Sequence, residues 1–251
     1  MQKALITGAS SGIGKELAHV MAEKGHDLVL VARDKKGLKT VQKELESEHS
    51  IKVSIYTSDL SKPGSAKKLF KDTKKENVEI LVNNAGVGYK GDFFSDDKYR
   101  TTAMAHLNMI SLMELSQLFG EQFVKQDAGR ILNVGSIVAF LPGPKQPVYY
   151  ASKAFVRSLT RSLAYNLRNT NVTVTALHPG VTKTKFFDAS NASFMKTGAS
   201  PRSVAELGYR AMMAGKIEAT HGFSNKILSN IFVRIFPYRM HAPIVDRASE
   251  V

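Results

Sequence analysis

The chain has 251 residues, 43% of them hydrophobic and 23% charged, and no cysteine, which excludes a disulfide-stapled miniprotein, a disordered or fibrous chain and any site built on thiolates. The net charge of +13 is compatible with nucleic acid, an anionic membrane surface or a phosphate-bearing ligand. Many of the lysines lie between residues 35 and 75, on stretches that also fit the solvent-facing sides of helices, so charge alone does not choose among these partners.

Short apolar runs alternate with longer amphipathic stretches along most of the chain. The predicted strands span residues 3–7, 27–32, 53–57, 79–83, 130–135 and 172–177, with a seventh at 216–221. The predicted helices span residues 12–24, 36–48, 62–75, 97–126, 147–169 and 201–214. Because strands separated by helices need crossover connections, the sheet should be parallel with helices on both faces. The pattern predicts an α/β fold, a doubly wound parallel sheet of about seven strands in a single domain over residues 1–251.

A glycine-rich turn joins the first predicted strand to the first predicted helix. It reads Thr7-Gly8-Ala9-Ser10-Ser11-Gly12-Ile13-Gly14. Glycines let the chain turn sharply and let backbone N–H groups approach a pyrophosphate at the positive end of the helix. The turn could be tight for structural reasons alone, but its position is that of a dinucleotide-binding loop. The predicted cofactor contacts here are Gly8, Ser10, Ser11, Gly12, Ile13 and Gly14.

The second predicted strand ends just before Arg33-Asp34. In this fold that strand end faces the adenosine ribose, where an acid accepts hydrogen bonds from a 2′-hydroxyl and an arginine neutralises a 2′-phosphate. Arg33 favours NADP(H), whereas Asp34 would serve NAD(H) if the strand ended one residue later. The third possibility is that Arg33 is only a solvated surface residue.

Tyr149 and Lys153 lie four residues apart in the predicted helix 147–169, which places them on one helix face. A nearby ammonium favours the phenolate, so we expect the pKa of Tyr149 to fall below its usual value near 10 and the tyrosine to act as an acid or base. Taken alone, such a pair can also be a plain surface pair. Ser136 directly follows the fifth predicted strand, at the carboxyl edge where open α/β sheets place ligands.

These features together resemble the short-chain dehydrogenase/reductase family, in its subgroup of about 250 residues. The resemblance covers roughly residues 3–184 and combines the glycine turn, the segment Asn83-Asn84-Ala85-Gly86, and Ser136 ahead of Tyr149-Tyr150-Ala151-Ser152-Lys153. Tyr150 has no lysine four residues on. The resemblance implies a Rossmann fold and an NADPH-dependent reduction of a ketone or aldehyde to an alcohol by hydride transfer.

The resemblance also implies roles for individual residues. Tyr149 would be the general acid or base, Lys153 would lower its pKa and bind the nicotinamide ribose, and Ser136 would polarise the substrate carbonyl. Asn108 would kink its helix and hold a relay water. The remaining implied cofactor contacts are Asp59 and Leu60 at the adenine, Asn83 and Ala85 through their backbones and Gly86 at the adenosine, and Pro179, Gly180, Thr182 and Thr184 near the nicotinamide. In the NADPH-preferring members a basic residue stands where Arg33 stands.

This chemistry requires no metal, and the seven histidines are scattered without a ligand spacing. An alternative is an NADP(H)-binding regulator or scaffold without turnover, which would usually have lost Tyr149 or Lys153. Specific nucleic-acid binding is not expected, because the basic residues are not interleaved with aromatic ones.

A predicted lid at residues about 185–200 would line an apolar pocket and favour a hydrophobic substrate. Its apolar side chains would be Phe186, Phe187, Phe194 and Met195, joined by Phe140, Leu141, Phe93 and Phe94.

The C-terminal tail, residues about 223–251, begins as a basic amphipathic helix. It could close the core, form a dimer contact, touch an anionic membrane or cap an apolar substrate. The resemblance implies a homodimer through the predicted helices 97–126 and 147–169, and the altered tail leaves a tetramer open. Because the first apolar run is too short for a signal peptide and no stretch reaches the roughly 18 apolar residues of a membrane span, we expect a cytoplasmic protein, with membrane association through the tail as a further possibility.

Overall fold

A seven-stranded parallel sheet in the order β3-β2-β1-β4-β5-β6-β7 forms the centre of the molecule. The structure is a computed structural model, and it describes residues 2–184, 186, 198–229, 235, 239–241, 243 and 245. The strands are β1 Lys3–Thr7, β2 Asp27–Ala32, β3 Val53–Thr57, β4 Ile80–Asn83, β5 Gly129–Val134, β6 Val172–His178 and β7 Glu218–Thr220. The predicted doubly wound parallel sheet is confirmed.

Helices connect the strands on both sides of the sheet. They are α1 Gly12–Glu23, α2 Lys35–Glu48, α3 Ser65–Asp72, α4 Lys98–Ala105, α5 Leu112–Gln126, α6 Pro147–Asn166, α7 Pro201–Met213 and α8 Phe223–Ile227. The predicted helix 97–126 is interrupted by a π-helical segment, His106–Ser111, which separates α4 from α5. The predicted helix 62–75 is shorter, because Gly64 precedes it in a left-handed conformation. Among the described residues, no helix is long and apolar enough to cross a membrane.

The strands are apolar without interruption because both faces of the sheet are covered. Successive strand residues point to opposite faces, so Ala4 and Ile6 join one core cluster while Leu5 joins the other. The first cluster packs against α1, α2 and α7. The second packs against α3 and α5. Each face of the sheet therefore has its own apolar core.

The strand order reverses at β1, which lies between β2 and β4. The connections that leave β1 and β4 therefore run to opposite sides and leave a crevice at the carboxyl edge of the sheet. Open α/β sheets bind ligands in this crevice.

Candidate active site

A cavity of about 700 Å³ opens at the carboxyl edge of the sheet. It brings together most of the predicted site residues, although they come from distant parts of the chain. The predicted residues that line it are Gly8, Ser10, Ser11, Gly12, Ile13, Arg33, Asp59, Leu60, Ala85, Gly86, Ser136, Tyr149, Lys153, Pro179, Gly180, Thr182 and Thr184. Gly14, Asn83 and Asn108 do not line it, and each has a structural contact that accounts for this.

The glycine turn is shaped to leave its cavity side free of side chains. Gly8 and Gly12 adopt left-handed backbone angles, with φ of 67° and 57°, which other residues rarely adopt. Gly14 lies behind the turn, where a Cβ would overlap the Gly8 carbonyl and the Asn84 side-chain amide. We conclude that Gly14 allows the helix to approach the turn, and that the exposed turn fits the pyrophosphate of a dinucleotide.

Thr7 and Asn84 fix the turn to the end of β4. The Thr7 hydroxyl accepts hydrogen bonds from the backbone N–H groups of Asn84 and Ala85, each at 3.0 Å. In return, Asn84 Nδ2 donates to the carbonyls of Thr7 at 2.9 Å and Gly8 at 3.2 Å. Asn84 was not among the predicted site residues. Its place directly after a buried strand, facing a glycine turn, was the available signal.

Asp34 is engaged in capping a helix. β2 ends at Ala32, and the Asp34 carboxylate accepts a hydrogen bond from the backbone N–H of Gly37 at 3.0 Å, in the first turn of α2. Arg33 is exposed and lines the same part of the cavity. Asp34 is also exposed and also lines the cavity. Both side chains therefore border this strand end, Arg33 with its positive charge and Asp34 with Oδ1 engaged in the helix cap.

Asp59 lies at the same end of the cavity. Burial acts to raise the pKa of its carboxyl, but hydrogen bonds from Ser61 and the positive charges of Arg33 and Lys62 outweigh burial and hold the pKa below its usual value. Asp59 Oδ1 accepts from the Ser61 backbone at 3.1 Å and from its hydroxyl at 2.7 Å. The carboxylate is thereby fixed in place.

Tyr149, Lys153 and Ser136 meet at the other side of the cavity, beyond β5. Tyr149 and Lys153 are each 5% exposed, and the Ser136 hydroxyl is hydrogen-bonded to that of Tyr149. Lys153 Nζ lies 5.8 Å from the centre of the Tyr149 ring and donates to the Val134 carbonyl at 3.0 Å. The three side chains form one polar group in the cavity wall, which Gln146 and Tyr150 also line.

The titration of Tyr149 differs from the sequence-based expectation. Burial raises the pKa of the phenol well above its usual value; the hydrogen bond from Ser136 opposes this and the neighbouring Tyr150 adds to it. Burial also lowers the pKa of Lys153 to about 8. The expected lowering of the tyrosine pKa is absent because the ammonium is bonded to Val134 and because both groups are removed from water.

Asn108 lies in the π-helical segment and connects two walls of the cavity. Its side chain accepts from the Val87 backbone N–H at 3.0 Å and donates to the Val87 carbonyl at 2.8 Å. It also donates to Ser152 Oγ at 3.2 Å, and Ser152 in turn donates to the Tyr149 carbonyl at 2.7 Å. The helix irregularity expected at Asn108 is present, and its side chain positions the start of α6. Its role toward a relay water stays a prediction.

The Asn83 side chain points into the core and away from the cavity. Its Nδ2 donates to Ser116 Oγ at 3.0 Å and to Asn133 Oδ1 at 2.9 Å. Asn133 continues the network by donating to Thr160 at 3.0 Å. Buried amide groups need hydrogen-bond partners, and the Asn83 side chain finds them in the core. The side chain of the adjacent Asn84 reaches the glycine turn instead.

The wall nearest Tyr149 is mainly apolar. Leu141 and Phe186 line it as predicted. Leu228 and Val245 from the predicted C-terminal tail, Tyr150, and Val138, which no prediction named, also line the cavity. Phe140 does not line it, because it packs between the His178 ring at 5.0 Å and the Arg157 guanidinium at 4.2 Å. Phe93 and Phe94 are exposed and contact each other outside the cavity.

Most of the predicted lid lies outside the described residues. The structure describes 186 and 198–200, while Phe187, Phe194 and Met195 are among the residues it does not describe. Within the described ranges, no group of three His, Asp or Glu side chains is arranged to hold a metal ion. His178 is fully buried, with Nε2 3.2 Å from Glu218 Oε1.

The family model described as short chain dehydrogenase matches residues 2–193. Because this match covers most of the chain, the protein belongs to the short-chain dehydrogenase/reductase family and is a nucleotide-binding oxidoreductase of that family.

Similar proteins agree in fold and differ in substrate. The chain is 35% identical over 187 residues to the 2-dehydro-3-deoxy-D-gluconate 5-dehydrogenase of Bacillus subtilis, which covers 72% of this chain and 71% of the relative. It is 28% identical to a short-chain dehydrogenase from Sphingobium yanoikuyae solved in complex with NADPH, with a TM-score of 0.83 and coverage of 100% and 94%. It is 26% identical to the bulky-bulky ketone specific alcohol dehydrogenase from Comamonas testosteroni, with a TM-score of 0.80 and coverage of 100% and 92%.

Proposed function

We propose that this protein reduces a hydrophobic ketone or aldehyde to the alcohol, with NADPH as the hydride donor and Tyr149 as the proton donor. The observation that carries the proposal is the arrangement of Tyr149, Ser136 and Lys153 in one wall of the cavity that also holds the glycine turn. If the pyrophosphate of the cofactor lies on the turn, the rest of the cavity is open to the nicotinamide.

The bound nicotinamide supplies the hydride, and the protein supplies binding, orientation and a proton. The residues proposed to hold the cofactor are the glycine turn, Arg33, Asp59, Ala85 and the segment from Pro179 to Thr184, all of which line the cavity except Thr7, Ala9, Gly14 and Lys183. Ser136 donates a hydrogen bond toward the substrate oxygen while Tyr149 protonates it. Because its pKa is raised, Tyr149 carries its proton at neutral pH, which is the form that reduction needs. The Lys153 ammonium is suited to the cofactor ribose.

Arg33 supports NADP(H) over NAD(H). Arg33 is exposed and lines the cavity, and the competing acid, Asp34, lines it too but uses Oδ1 to cap α2. A 2′-phosphate has acceptors that match a guanidinium. The similar short-chain dehydrogenase from Sphingobium yanoikuyae binds NADPH, which agrees with this proposal.

An apolar wall supports a hydrophobic substrate. Phe186 contacts Tyr149, and Leu141, Leu228 and Val245 line the same cavity. Apolar side chains offer no partners for the hydroxyls of a sugar acid. Of the similar proteins, the ketone-specific enzyme from Comamonas testosteroni fits this wall better than the sugar-acid dehydrogenase from Bacillus subtilis.

The direct test is the consumption of NADPH, and separately of NADH, over acetone, acetophenone and benzophenone. We expect turnover with NADPH that rises with the apolar surface of the ketone. Tight NADPH binding without turnover of any carbonyl would instead support the alternative, an NADP(H)-binding regulator. Faster turnover with NADH would overturn the cofactor proposal alone.

We also propose a homodimer through α4, α5 and α6. These helices carry exposed apolar side chains, among them Tyr99, Val124 and Tyr165, which a partner copy would cover. Light scattering should give twice the chain mass of 27.6 kDa. A monomer at micromolar concentration would contradict the proposal.

A peripheral membrane contact of the tail is a further proposal. Phe223 is 80% exposed and Ile235 67% exposed, and the sequence from 223 to 241 contains Lys226, Arg234 and Arg239 but no acid. Apolar and basic side chains together suit an anionic lipid surface. We expect Phe223→Ser to reduce co-sedimentation with vesicles that contain phosphatidylserine, and little binding by either protein to pure phosphatidylcholine. Equal binding of wild type and variant to the anionic vesicles would contradict the proposal.

A further inference from the structure

Glu218 in β7 joins two elements that carry the proposed active site. Its Oε1 accepts a hydrogen bond from Arg157 Nε at 2.8 Å and lies 3.2 Å from His178 Nε2. A carboxylate has no proton to donate, so the Nε2–H of His178 is the donor. Arg157 belongs to α6, and His178 is the last residue of β6. One carboxylate oxygen therefore connects this helix to the end of this strand.

Glu218 is held in its ionised form. Burial acts to raise the pKa of its carboxyl, but hydrogen bonds from His178 and Arg157 and the positive charge of Arg157 outweigh burial and keep the pKa below its usual value. Arg161 lies one helical turn after Arg157, with its Nε 3.8 Å from Glu218 Oε2. A charged acceptor makes stronger hydrogen bonds than a neutral one, so removal of the charge should loosen both contacts.

Aromatic contacts close this group of side chains on its other side. The Phe140 ring lies edge-on to the His178 ring at 5.0 Å, and the Arg157 guanidinium lies 4.2 Å from the centre of the Phe140 ring. Phe140 ends the 3₁₀ turn that follows Ser136. His178 also packs on Gly135, where a Cβ would come within 2.8 Å of Nδ1. The closed group consists of Phe140, Arg157, His178 and Glu218.

The closed group surrounds the active site from outside. None of its four side chains lines the cavity, but Arg157 follows Lys153 by one helical turn and His178 directly precedes Pro179. The backbone adds a further link, because the Ile137 N–H donates to the Pro179 carbonyl at 2.8 Å. The group therefore joins the helix of the proposed proton donor, the serine segment and the segment proposed to lie at the nicotinamide.

The orientation of the His178 ring depends on Glu218. The ring is fully buried, and Nδ1 has no hydrogen-bond partner among the described residues. Loss of the carboxylate would leave the second ring nitrogen unsatisfied as well, which is costly for a buried polar group. The ring and the strand end that carries it should then shift.

We propose that Glu218 is a positioning residue for hydride transfer: through His178 and Arg157 it fixes the nicotinamide-binding segment relative to the helix that carries Tyr149. This rests on the proposed function. The hydride and the proton must reach the same carbonyl group, so a small displacement between these two elements lowers the rate. Glu218 does not line the cavity and acts only through its two partners.

The test compares Glu218→Ala and Glu218→Gln with Glu23→Ala and Glu23→Gln. Glu23 is the matched control, because its carboxylate accepts two hydrogen bonds from Arg202 and also lies outside the cavity. Its side chain is 37% exposed, against 27% for Glu218. The measurements are the single-turnover rate of hydride transfer from saturating NADPH to acetophenone, the Kd of NADPH, and thermal unfolding.

A further measurement does not depend on turnover. The fluorescence lifetime of bound NADPH depends on how freely the dihydronicotinamide ring moves. In the complex of protein and NADPH alone, it therefore reports how firmly this end of the cofactor is held.

We expect Glu218→Ala to lower the single-turnover rate about 10–100-fold, because a misplacement of about 1 Å can cost about 10²-fold. The lifetime of bound NADPH should shorten, and the Kd of NADPH should change less than about threefold, since the glycine turn is not part of the closed group. Glu218→Gln should lie between wild type and Glu218→Ala, because an amide oxygen still accepts a hydrogen bond. The Glu23 variants should unfold at lower temperature but keep the wild-type rate and lifetime.

Equal losses of rate in the Glu218 and Glu23 variants would overturn the proposal, since general stability would then explain them. A folded Glu218→Ala protein with the wild-type rate, or with a higher Kd of NADPH as its only change, would also overturn it. Glu218→Gln keeps the size of the side chain and carries the comparison if Glu218→Ala does not fold.

Failure of the proposed function would look different, because wild type would then transfer hydride to no ketone. The lifetime of bound NADPH still tests the positioning role in that case. A shorter lifetime in the Glu218 variants than in the Glu23 variants would support it, and equal lifetimes would overturn it.

Discussion

Tyr149→Phe is expected to lower kcat for carbonyl reduction by about 10²–10⁴-fold, the usual contribution of a positioned proton donor. Phenylalanine keeps the buried ring but removes the hydroxyl that is bonded to Ser136. Because the glycine turn and Arg33 lie elsewhere in the cavity, the Kd of NADPH should change less than about threefold. Single-turnover rates and fluorescence titration of NADPH measure the two effects separately.

Tyr150→Phe is the matched control for this change. Tyr150 is the next residue, also lines the cavity and also has its pKa raised by burial, but it has no lysine four residues on. We expect Tyr150→Phe to retain turnover within about tenfold of wild type, because the proton donor is still present. Equal losses in the two variants would show that neither hydroxyl is the specific acid.

The raised pKa of Tyr149 also predicts how the two reaction directions depend on pH. Reduction uses the protonated phenol, which persists through neutral and mildly alkaline pH because burial raises its pKa. Alcohol oxidation uses the phenolate, so its rate should rise with pH across the alkaline range. An oxidation rate that is constant from neutral to alkaline pH would contradict this prediction, because it would require a phenol pKa below neutral or a base other than the phenolate.

The sheet could be predicted from the sequence because its strands are uninterrupted apolar runs. Ala4, Leu5 and Ile6 are all fully buried, in cores on opposite faces of the sheet, and only a strand covered on both sides has that pattern. The ends of the predicted helices agree less well with the structure. The π segment His106–Ser111 contains ordinary helix-compatible residues, so nothing in its local sequence distinguishes it from α4 or α5.

The candidate site was predictable where residues follow strand ends and unpredictable where distant segments meet. Ser136 and Arg33 follow β5 and β2, so topology alone places them at the cavity. Leu228 and Val245 reach it through tertiary packing of the tail, and the amphipathic pattern of the tail alone left its role open among four alternatives. The raised pKa of Tyr149 was missed for a related reason: helix spacing gives the distance between two side chains but not their burial.

Arg33→Ala is expected to raise the Kd of NADPH by about 10–100-fold and to leave the Kd of NADH within about threefold of wild type. A hydrogen bond to a charged group contributes about 1.5–3 kcal/mol, and NADH lacks the 2′-phosphate that the guanidinium would bind. The preference for NADPH should also weaken with added salt in wild type, because Arg33 is exposed and exposed charge pairs are screened. Titrations of both cofactors at two salt concentrations measure these effects.

Asp34→Ala tests whether Asp34 only caps α2 or also binds the ribose of the cofactor. Asp34 accepts from the Gly37 N–H at the start of α2, so its removal should cost about 0.5–2 kcal/mol of unfolding free energy, as the loss of a helix cap does. The ratio of NADPH to NADH affinity should not change. If Asp34→Ala instead weakens NADH more than Arg33→Ala weakens NADPH, the carboxylate binds the ribose and the cofactor is NAD(H). Together the two variants show which side chain binds the adenosine ribose or its 2′-phosphate, whether the cofactor is NADP(H) or NAD(H).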